Sequence, residues 1–226
     1  MTKVLNKHML PVDGDPMILH SIRKMAGAGV QDVLVVTSPV GIGQLGALLG
    51  SGQDYRCRVS FRVQDRPGGI ADALLLAEDF CQDEDQGCVV VLGDNLWYAP
   101  LPAAMMSVGS GRAWVALTPV SDPERFGIAE LDLSTRRIVR IEEKPLHPVG
   151  NLAVTGIYSY PEDVFGVIRQ MTASGRGELE ITDVNNHYAT RSRLEYVTLP
   201  EWWIDAGTPE SLHEANLLCR EKPPIW

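Results

Sequence analysis

The chain has 226 residues, of which 45% are hydrophobic and 22% charged, as is typical of a globular protein with a substantial core. Its net charge of −9 argues against general nucleic-acid binding, because such binding depends on a basic surface. No apolar run approaches the ~20 residues that a membrane helix needs, so we expect no membrane partner. The first residues lack the apolar core of a signal peptide, and we therefore expect a cytoplasmic protein.

The four cysteines are scattered along the chain and show no Cys-x-x-Cys spacing. This pattern argues against a zinc site or a disulfide framework and favours reduced, mostly buried thiols. If an acidic protein binds phosphates, its lysine and arginine side chains must be concentrated at the binding site. Each lysine or arginine close to a glycine-rich turn or a strand end is therefore a candidate ligand.

The predicted elements of the first half alternate between strands and helices. Near-continuous runs of valine and leucine, at 30–38 and 87–95, are typical of strands covered on both faces. The run 58–64 alternates between polar and apolar residues, which indicates a strand nearer an edge. Helices are predicted at 16–28 and 70–81, the first with a proline at its start.

The second half is richer in antiparallel strands. Strands are predicted at 112–120, 126–133, 137–143, 152–160 and 194–199, and helices at 161–172, 180–190 and 209–220. Ser134-Thr135-Arg136 makes a plausible hairpin turn between the second and third of these strands. No proline- or glycine-rich linker separates the halves, and the sequence shows no internal repeat. We therefore predict a single domain over residues 1–226 with a mixed sheet.

Two aspartates lie at the ends of predicted strands that are far apart in sequence. Asp94 follows an apolar strand, and Asp205 precedes a helix that Thr208 would cap and Pro209 would begin. Ligands of open α/β sheets bind at the carboxyl ends of strands, and magnesium typically takes one or two carboxylates. The pair therefore indicates a magnesium site, although either residue alone is equally explained as a turn or capping residue.

A strand-to-helix turn rich in glycine follows the run 58–64. Gln64 offers a carboxamide that can pair with the edge of a base, and Gly69 lets a flat ring lie against backbone. The N-terminus of the helix that follows favours anionic groups. An ordinary connection between a strand and a helix explains this turn equally well.

The sequence Glu142-Glu143-Lys144-Pro145 ends another predicted strand, and the proline favours extended backbone at Lys144. The Lys144 ammonium is a candidate phosphate ligand, and Glu143 a candidate acceptor for sugar hydroxyls. The alternative is a solvated charge cluster. Arg176, which precedes a helix start, is a further candidate for a phosphate.

Taken together, these segments resemble the sugar-1-phosphate nucleotidyltransferases, and in particular their glucose-1-phosphate thymidylyltransferase branch. The resemblance covers nearly the whole chain and rests on these motifs in chain order: Asn6-Lys7-His8-Met9-Leu10-Pro11-Val12, Asp15-Pro16-Met17-Ile18, Gln64, Gly69-Ile70-Ala71, Leu92-Gly93-Asp94-Asn95, Asp122-Pro123-Glu124-Arg125-Phe126-Gly127, Glu142-Glu143-Lys144-Pro145, Val154-Thr155-Gly156-Ile157-Tyr158, Gly177-Glu178-Leu179-Glu180-Ile181-Thr182-Asp183 and Trp203-Ile204-Asp205-Ala206-Gly207-Thr208.

The resemblance implies an α/β fold with a Rossmann-like mixed, mainly parallel central sheet flanked by helices. It also implies a magnesium-dependent reaction that moves a nucleotidyl group from a nucleoside triphosphate, dTTP in this branch, to a sugar 1-phosphate, here glucose 1-phosphate. By matching motifs, the metal ligands would be Asp94 and Asp205, the nucleotide contacts Lys7, Gln64, Gly69 and Asp94, and the sugar-phosphate contacts Gly127, Glu143, Lys144, Val154 and Arg176. The catalytic candidates Lys7, Lys144 and Arg176 would act by positioning and charge neutralisation.

In this family a first strand and a Gly-Gly-x-Gly-Thr-Arg loop wrap the triphosphate, and this sequence begins just after the place where that loop would end. We therefore expect an N-terminally incomplete domain with unpaired strand edges, which favours self-association as a homo-oligomer. The alternatives are a binding or regulatory relative without efficient turnover, and a metal-dependent glycosyltransferase. The Glu-Lys-Pro and Gly-Glu-Leu-Glu-Ile-Thr-Asp motifs argue against the glycosyltransferase.

Overall fold

The computed structural model describes residues 5–81, 87–107, 110–132, 134–175 and 177–226. In chain order the strands and helices are β1 (Pro11–Val12), β2 (Asp15–Pro16), α1 (Met17–Gly27), β3 (Asp32–Thr37), α2 (Gly41–Leu49), β4 (Arg58–Val63), α3 (Ile70–Leu75), β5 (Cys88–Val91), β6 (Asn95–Trp97), β7 (Ala113–Pro119), β8 (Gly127–Asp132), β9 (Arg137–Glu143), β10 (Leu152–Tyr160), α4 (Val164–Arg169), α5 (Ile181–Ala189), β11 (Leu194–Thr198), β12 (Trp203–Asp205) and α6 (Pro209–Glu221). Of the helices in these ranges, none has the length and apolar character needed to cross a membrane.

The chain divides into two compact units. The first unit contains the segments up to Arg66, from Val91 to Ala103 and from Leu199 onward, and the second contains Pro67–Val90 and Ala104–Thr198. Each unit is thus assembled from segments that are distant in sequence. The single domain expected over the whole chain stays a prediction.

In the first unit, a parallel pair of strands packs against two helices. β3 and β4 pair in register from Asp32 opposite Arg58 to Thr37 opposite Val63. Side chains from β3, α1 and α2, together with Cys57 just before β4, form one core cluster, made of Ile18, Leu19, Ile22, Val33, Val35, Leu45, Leu49 and Cys57. Each aliphatic side chain fully buried in such a cluster contributes roughly 1.5–3 kcal/mol.

A short antiparallel ribbon forms the other half of the first unit. β6 pairs with β12, with Leu96 opposite Ile204, and both side chains are buried. They pack in a second core cluster with Ala215 of α6, while Thr208 caps that helix by accepting a hydrogen bond from the Ser211 N–H at 3.1 Å. The predicted Thr208 cap is therefore confirmed, and it sets where the chain turns after Asp205.

The second unit is built on a six-stranded sheet. Its strands lie in the order β11-β7-β10-β8-β9, and β5 pairs with β10. β8 and β9 form the predicted hairpin, in which Arg136 adopts a left-handed φ of 53° and its N–H donates to the Asp132 carbonyl at 2.7 Å. Gly127 consequently lies opposite Glu143 at the far end of the hairpin.

The predicted α/β fold with a mixed sheet flanked by helices is confirmed, but the sheet is not mainly parallel. β11 and β7 are parallel, whereas β7–β10, β10–β8 and β8–β9 are antiparallel. Short connections such as the hairpin between β8 and β9 cannot join parallel neighbours, which need a long crossover. The predicted antiparallel second half agrees with this arrangement.

Three helices differ from the sequence prediction. The helix predicted at 161–172 is shorter and spans Val164–Arg169. α2 was not predicted, because its three glycines give it a low intrinsic helix propensity. It forms because Leu45 and Leu49 bury one face in the core, and Gly41 leaves room for the side chains of Asn6 and Thr37. The helix predicted at 70–81 ends at Leu75, after which the backbone tightens to i→i−3 hydrogen bonds.

Lys24 is a fully buried cation in the first unit, with 1% of its surface exposed. Its ammonium donates to the carbonyl oxygens of Tyr98 at 2.8 Å, Ala99 at 2.5 Å and Ile225 at 2.5 Å. Burial lowers the pKa of Lys24 to about 7. The three acceptors and the Trp97 ring, 5.1 Å from Nζ, favour the charged form. Lys24 therefore ties α1 to two other segments of this unit.

Replacing Lys24 by methionine should destabilise the first unit by about 3 kcal/mol, because three buried carbonyls lose a charged donor. Wild-type stability should also rise with pH between about 7 and 10, since the unfolded chain, with a lysine pKa near 10.4, binds more protons than the folded one. Lys24→Met should flatten this slope. Urea unfolding measured across that pH range gives both quantities.

Lys222→Met is the matched control, because Lys222 is partly exposed and ion-paired with Glu201 at 2.7 Å. Its loss should cost less than about 1 kcal/mol and leave the pH slope unchanged. Equal destabilisation by the two variants would contradict the assigned role of Lys24.

Candidate active site

Lys7 lies on a single turn of 3-10 helix that Asn6 holds in place. The Asn6 side chain accepts a hydrogen bond from the His8 N–H at 2.9 Å, and the Asn6 N–H donates to Gln44 Oε1 at 2.8 Å. The turn directs the Lys7 ammonium to the Asp94 carboxylate, with which it forms an ion pair. The Lys7 side chain is 41% exposed, so the ammonium is also accessible to an anion from solvent.

Asp94 is a largely buried carboxylate, with 13% of its side chain exposed. Lys7 binds its Oδ2, and the Asn95 carboxamide donates to its Oδ1 at 3.2 Å. The Asn95 side chain is oriented in turn by Trp203, whose Nε1 donates to Asn95 Oδ1 at 2.8 Å. Both oxygens of Asp94 are therefore held by residues of the first unit.

The pKa of Asp94 is below that of an ordinary aspartate. Burial opposes this shift, but the charge of Lys7 and its hydrogen bond outweigh the burial and lower the pKa. The neighbouring His8 has a lowered pKa, mainly because it is buried. The charge of Asp94 raises this pKa, and the charge of Lys7 lowers it again. At neutral pH the site therefore holds an ionised carboxylate beside a neutral imidazole.

Asp205 meets Asp94 because β12 pairs with β6. Asp205 lies opposite Asn95 in the ribbon, and the Ala206 N–H donates to the Asp94 carbonyl at 2.8 Å. A methyl group on Gly207 would lie 2.8 Å from Oδ1 of Asp205 and 3.8 Å from Oδ2 of Asp94. The two predicted metal ligands thus face the same small space beside Gly207.

The donor set of this space fits magnesium. Two carboxylates supply hard oxygen ligands, and magnesium commonly takes one or two carboxylates together with water and substrate phosphate. Among the residues that the structure describes, no cluster of three or more histidine, cysteine or acidic side chains forms a denser metal site.

Gln64 belongs to the first unit and Gly69 to the second. Gln64 directly follows β4, where its N–H donates to the Thr37 carbonyl at 2.8 Å. Gly69 has a φ of 95°, and a methyl group on it would lie 2.5 Å from the Leu179 carbonyl oxygen. Backbone of the same unit therefore already requires glycine here, and the nucleotide role of both residues stays a prediction.

Glu143 ends β9 in the second unit, where two neighbours constrain its carboxylate. The Thr182 hydroxyl of α5 donates to Glu143 Oε2 at 2.7 Å. A methyl group on Gly127 would lie 3.2 Å from the same oxygen, so a larger residue there would crowd the carboxylate. The structure therefore brings together Gly127 and Glu143, two of the predicted sugar contacts.

Lys144 turns the chain sharply at the end of β9. Its φ is 47°, a left-handed conformation that is uncommon for residues other than glycine. The expectation of extended backbone before Pro145 is therefore wrong. The Lys144 N–H still donates to the Phe126 carbonyl at 3.0 Å, which continues the pairing of β9 with β8 by one residue. The ammonium lies 3.9 Å from Glu143 Oε1 and is half-exposed, so it is accessible to an anion.

The remaining predicted contacts have less structural support. Val154 is half-buried on β10, opposite Leu117, at the start of an irregular stretch of pairing. Arg176 lies outside the described residues. Two partners of the predicted site residues, Asn95 and Thr182, received no role from the sequence, and neither did Trp203, which binds Asn95. Each stands within a motif quoted for the resemblance, but only the fold shows what it contacts.

The family model described as "Nucleotidyl transferase" matches residues 1–222, so the chain belongs to that family. The resemblance predicted from the motifs is thereby confirmed at the level of the family.

Individual proteins that are similar to this chain have more specific names than the family model. The chain is 38% identical over 220 residues to a glucose-1-phosphate thymidylyltransferase of Neisseria meningitidis serogroup A, an alignment that covers 95% of this chain and 75% of the relative. A Bacillus anthracis protein described as a glucose-1-phosphate thymidylyltransferase, solved in complex with sucrose, is 44% identical, with a TM-score of 0.91 over 97% of this chain and 89% of that one. A UDP-glucose pyrophosphorylase complexed with UDP-glucose, at 23% identity and a TM-score of 0.84 over 97% of this chain and 92% of that chain, shares the fold.

Replacing Lys7 by methionine should raise the pKa of Asp94, because burial then acts on the carboxylate without the nearby cation. In the wild type, the stability that Asp94 contributes is present above its unfolded pKa of about 4 and is lost as pH falls through the lower folded pKa. In Lys7→Met the sign should reverse, so that stability rises as pH falls through the raised pKa. Carbon-13 NMR of the carboxylates and unfolding at several pH values measure these changes.

Arg23→Met is the matched control, because it breaks the partly exposed ion pair with Asp15, a carboxylate whose pKa Arg23 lowers. It should move the pKa of Asp15 upward and leave that of Asp94 in place. An Asp94 pKa that does not respond to the loss of Lys7 would show that the ion pair does not control this carboxylate.

Proposed function

We propose that this protein transfers a thymidylyl group from dTTP to glucose 1-phosphate, giving dTDP-glucose and pyrophosphate. The observation that carries the proposal is the meeting of Asp94, Asp205 and Lys7 in the first unit, in a chain whose relatives are glucose-1-phosphate thymidylyltransferases. In this reaction a phosphate oxygen of the sugar phosphate attacks the α-phosphorus. A P–O bond forms there, the bond to the β-phosphate breaks, and pyrophosphate leaves.

In the first unit, Asp94 and Asp205 would hold magnesium, and Lys7 would contact the triphosphate. A bound magnesium ion offsets negative charge on the phosphates. Asp94 suits this role because its lowered pKa keeps it ionised at neutral pH. Lys7 suits its role because its ammonium lies directly beside Asp94 yet remains partly exposed.

In the second unit, Glu143 would accept hydrogen bonds from sugar hydroxyls, and Lys144 would bind the phosphate of the sugar phosphate. Thr182 supports the first role because it fixes the orientation of the Glu143 carboxylate. The phosphate-binding role is supported by the position of Lys144. Its backbone has a left-handed φ at the end of β9, and its ammonium is half-exposed there. These residues would bind and orient the nucleophile, a contribution that is large when two anions must meet.

Gln64 and Gly69 would contact the base, Gly127 and Val154 the sugar, and Arg176 the sugar phosphate. The choice of thymidine over uridine rests on the glucose-1-phosphate thymidylyltransferases among the relatives. The compartment we propose is the cytoplasm, where nucleotide-sugars are made from soluble substrates.

A panel of nucleoside triphosphates and sugar 1-phosphates tests the substrates. We expect pyrophosphate release, and a nucleotide-sugar detectable by chromatography, with dTTP and glucose 1-phosphate, at a kcat/KM at least roughly tenfold above that with other pairs. The same panel without magnesium should release no pyrophosphate. Binding of both substrates without pyrophosphate release would contradict the proposed activity and favour a binding or regulatory relative.

Replacing Asp94 or Asp205 by asparagine tests the metal ligands. Either change should lower kcat/KM by roughly 10²-fold or more and weaken magnesium-dependent nucleotide binding, because a charged ligand is lost. Asp32→Asn is the control, since Asp32 in the same unit is exposed and paired with Arg58. Unchanged magnesium dependence in both site variants, or an equal loss in Asp32→Asn, would remove the two aspartates from the site.

A further inference from the structure

Helix α5 holds the edge of strand β9 through one asparagine side chain. The Ile141 N–H donates to Asn186 Oδ1 at 2.7 Å, and Asn186 Nδ2 donates to the Ile141 carbonyl at 2.8 Å. β9 lies at the end of the strand order in the six-stranded sheet. A residue of a neighbouring antiparallel strand exchanges the same two bonds, so the carboxamide of Asn186 takes the place of one strand residue.

The same face of α5 also reaches the functional end of β9. Thr182 precedes Asn186 by four residues and binds Glu143, which follows Ile141 by two. Four helical residues rise about 6 Å and two strand residues about 6.6 Å, so both contacts form at once without distorting either element. The helix therefore runs against the strand direction with the two side chains in matching register.

We infer that Asn186 is a positioning residue for Glu143: it fixes the height of β9 against α5 and so places the carboxylate where Thr182 can hold it. The inference rests on the proposed function, in which Glu143 binds the sugar. Asn186 acts through Ile141 and the strand, because both of these carboxamide bonds go to the Ile141 backbone. Its loss should therefore weaken sugar-phosphate binding and leave nucleotide binding intact.

Further observations show how the end of β9 is held. Thr182 is 7% exposed and Asn186 is half-buried, so the bonds that they make to β9 are partly shielded from competing water. Lys144, which directly follows Glu143, is also held by a backbone hydrogen bond to Phe126. The last residues of β9 are thus held on two sides, by the helix and by the neighbouring hairpin strand.

The test uses Asn186→Ala, which removes both bonds, and Asn186→Asp, which keeps the acceptor and loses the donor. Asn216→Ala is the matched control, because the Asn216 carboxamide accepts from the Asp13 N–H at 2.9 Å and donates to the Leu212 carbonyl at 2.8 Å in the first unit. For each variant we would measure KM for glucose 1-phosphate and for dTTP, hydrogen exchange of the Ile141 amide, and Glu143 rotamer populations from NMR scalar couplings.

We expect Asn186→Ala to raise KM for glucose 1-phosphate roughly tenfold, with KM for dTTP and kcat within about twofold of wild type. The KM of Asn186→Asp for glucose 1-phosphate should lie between the values of the wild type and of Asn186→Ala. Exchange at Ile141 should speed up and Glu143 should populate several rotamers, whereas Asn216→Ala should change none of these quantities. An unchanged sugar-phosphate KM, or a single Glu143 rotamer in Asn186→Ala, would overturn the inference.

Failure of the proposed function gives a different result. A wild-type protein that neither binds glucose 1-phosphate nor turns it over contradicts the proposed function. In that case the exchange rate of Ile141 and the rotamers of Glu143 still decide whether Asn186 positions the carboxylate. Both measurements are made on the unliganded chain and need no substrate.

Discussion

Antiparallel pairing between β6 and β12 is the constraint on which the candidate site of the first unit depends. The two strands are only three residues long and come from distant parts of the sequence. Their register sets Asp205 opposite Asn95 and therefore beside Asp94. Two carboxylates in one small space repel each other, and burial of Asp94 adds a desolvation cost, so the arrangement needs a cation. Lys7 supplies one in the protein itself.

In the second unit, hydrogen bonds from helix α5 hold the strand that carries the Glu143 carboxylate, and the carboxylate itself. Glu143 stands at the end of an edge strand, where backbone is ordinarily least constrained. Side chains of α5 hold that strand at two points, and a glycine opposite Glu143 leaves its carboxylate room. The Glu143 carboxylate accepts a hydrogen bond from the Thr182 hydroxyl, and Lys144, 3.9 Å away, keeps a half-exposed ammonium. A site for an anionic ligand benefits from an ammonium that stays accessible to solvent.

Much of the secondary structure was predictable from local pattern. Strand β9 and strand β10 have the predicted bounds, and α1, α5 and α6 differ from prediction by a residue or two at their ends. These segments have strong apolar periodicity or a clear start signal. α2 escaped prediction because its glycines disfavour a helix locally, and burial of Leu45 and Leu49 outweighs that preference. α3 was predicted too long, because its apolar pattern continues past the point where the backbone tightens.

The sequence by itself determined the class of protein, because the order and spacing of many short motifs is specific even where each motif is weak. It also determined which aspartates and lysines were candidates for the site. Tertiary structure alone decided that Lys7 pairs with Asp94, that Thr182 holds Glu143 and that Asn186 grips β9. These contacts join residues that are 39 to 87 positions apart. The distance between such residues is set by strand register and helix packing, which no local pattern of residues encodes.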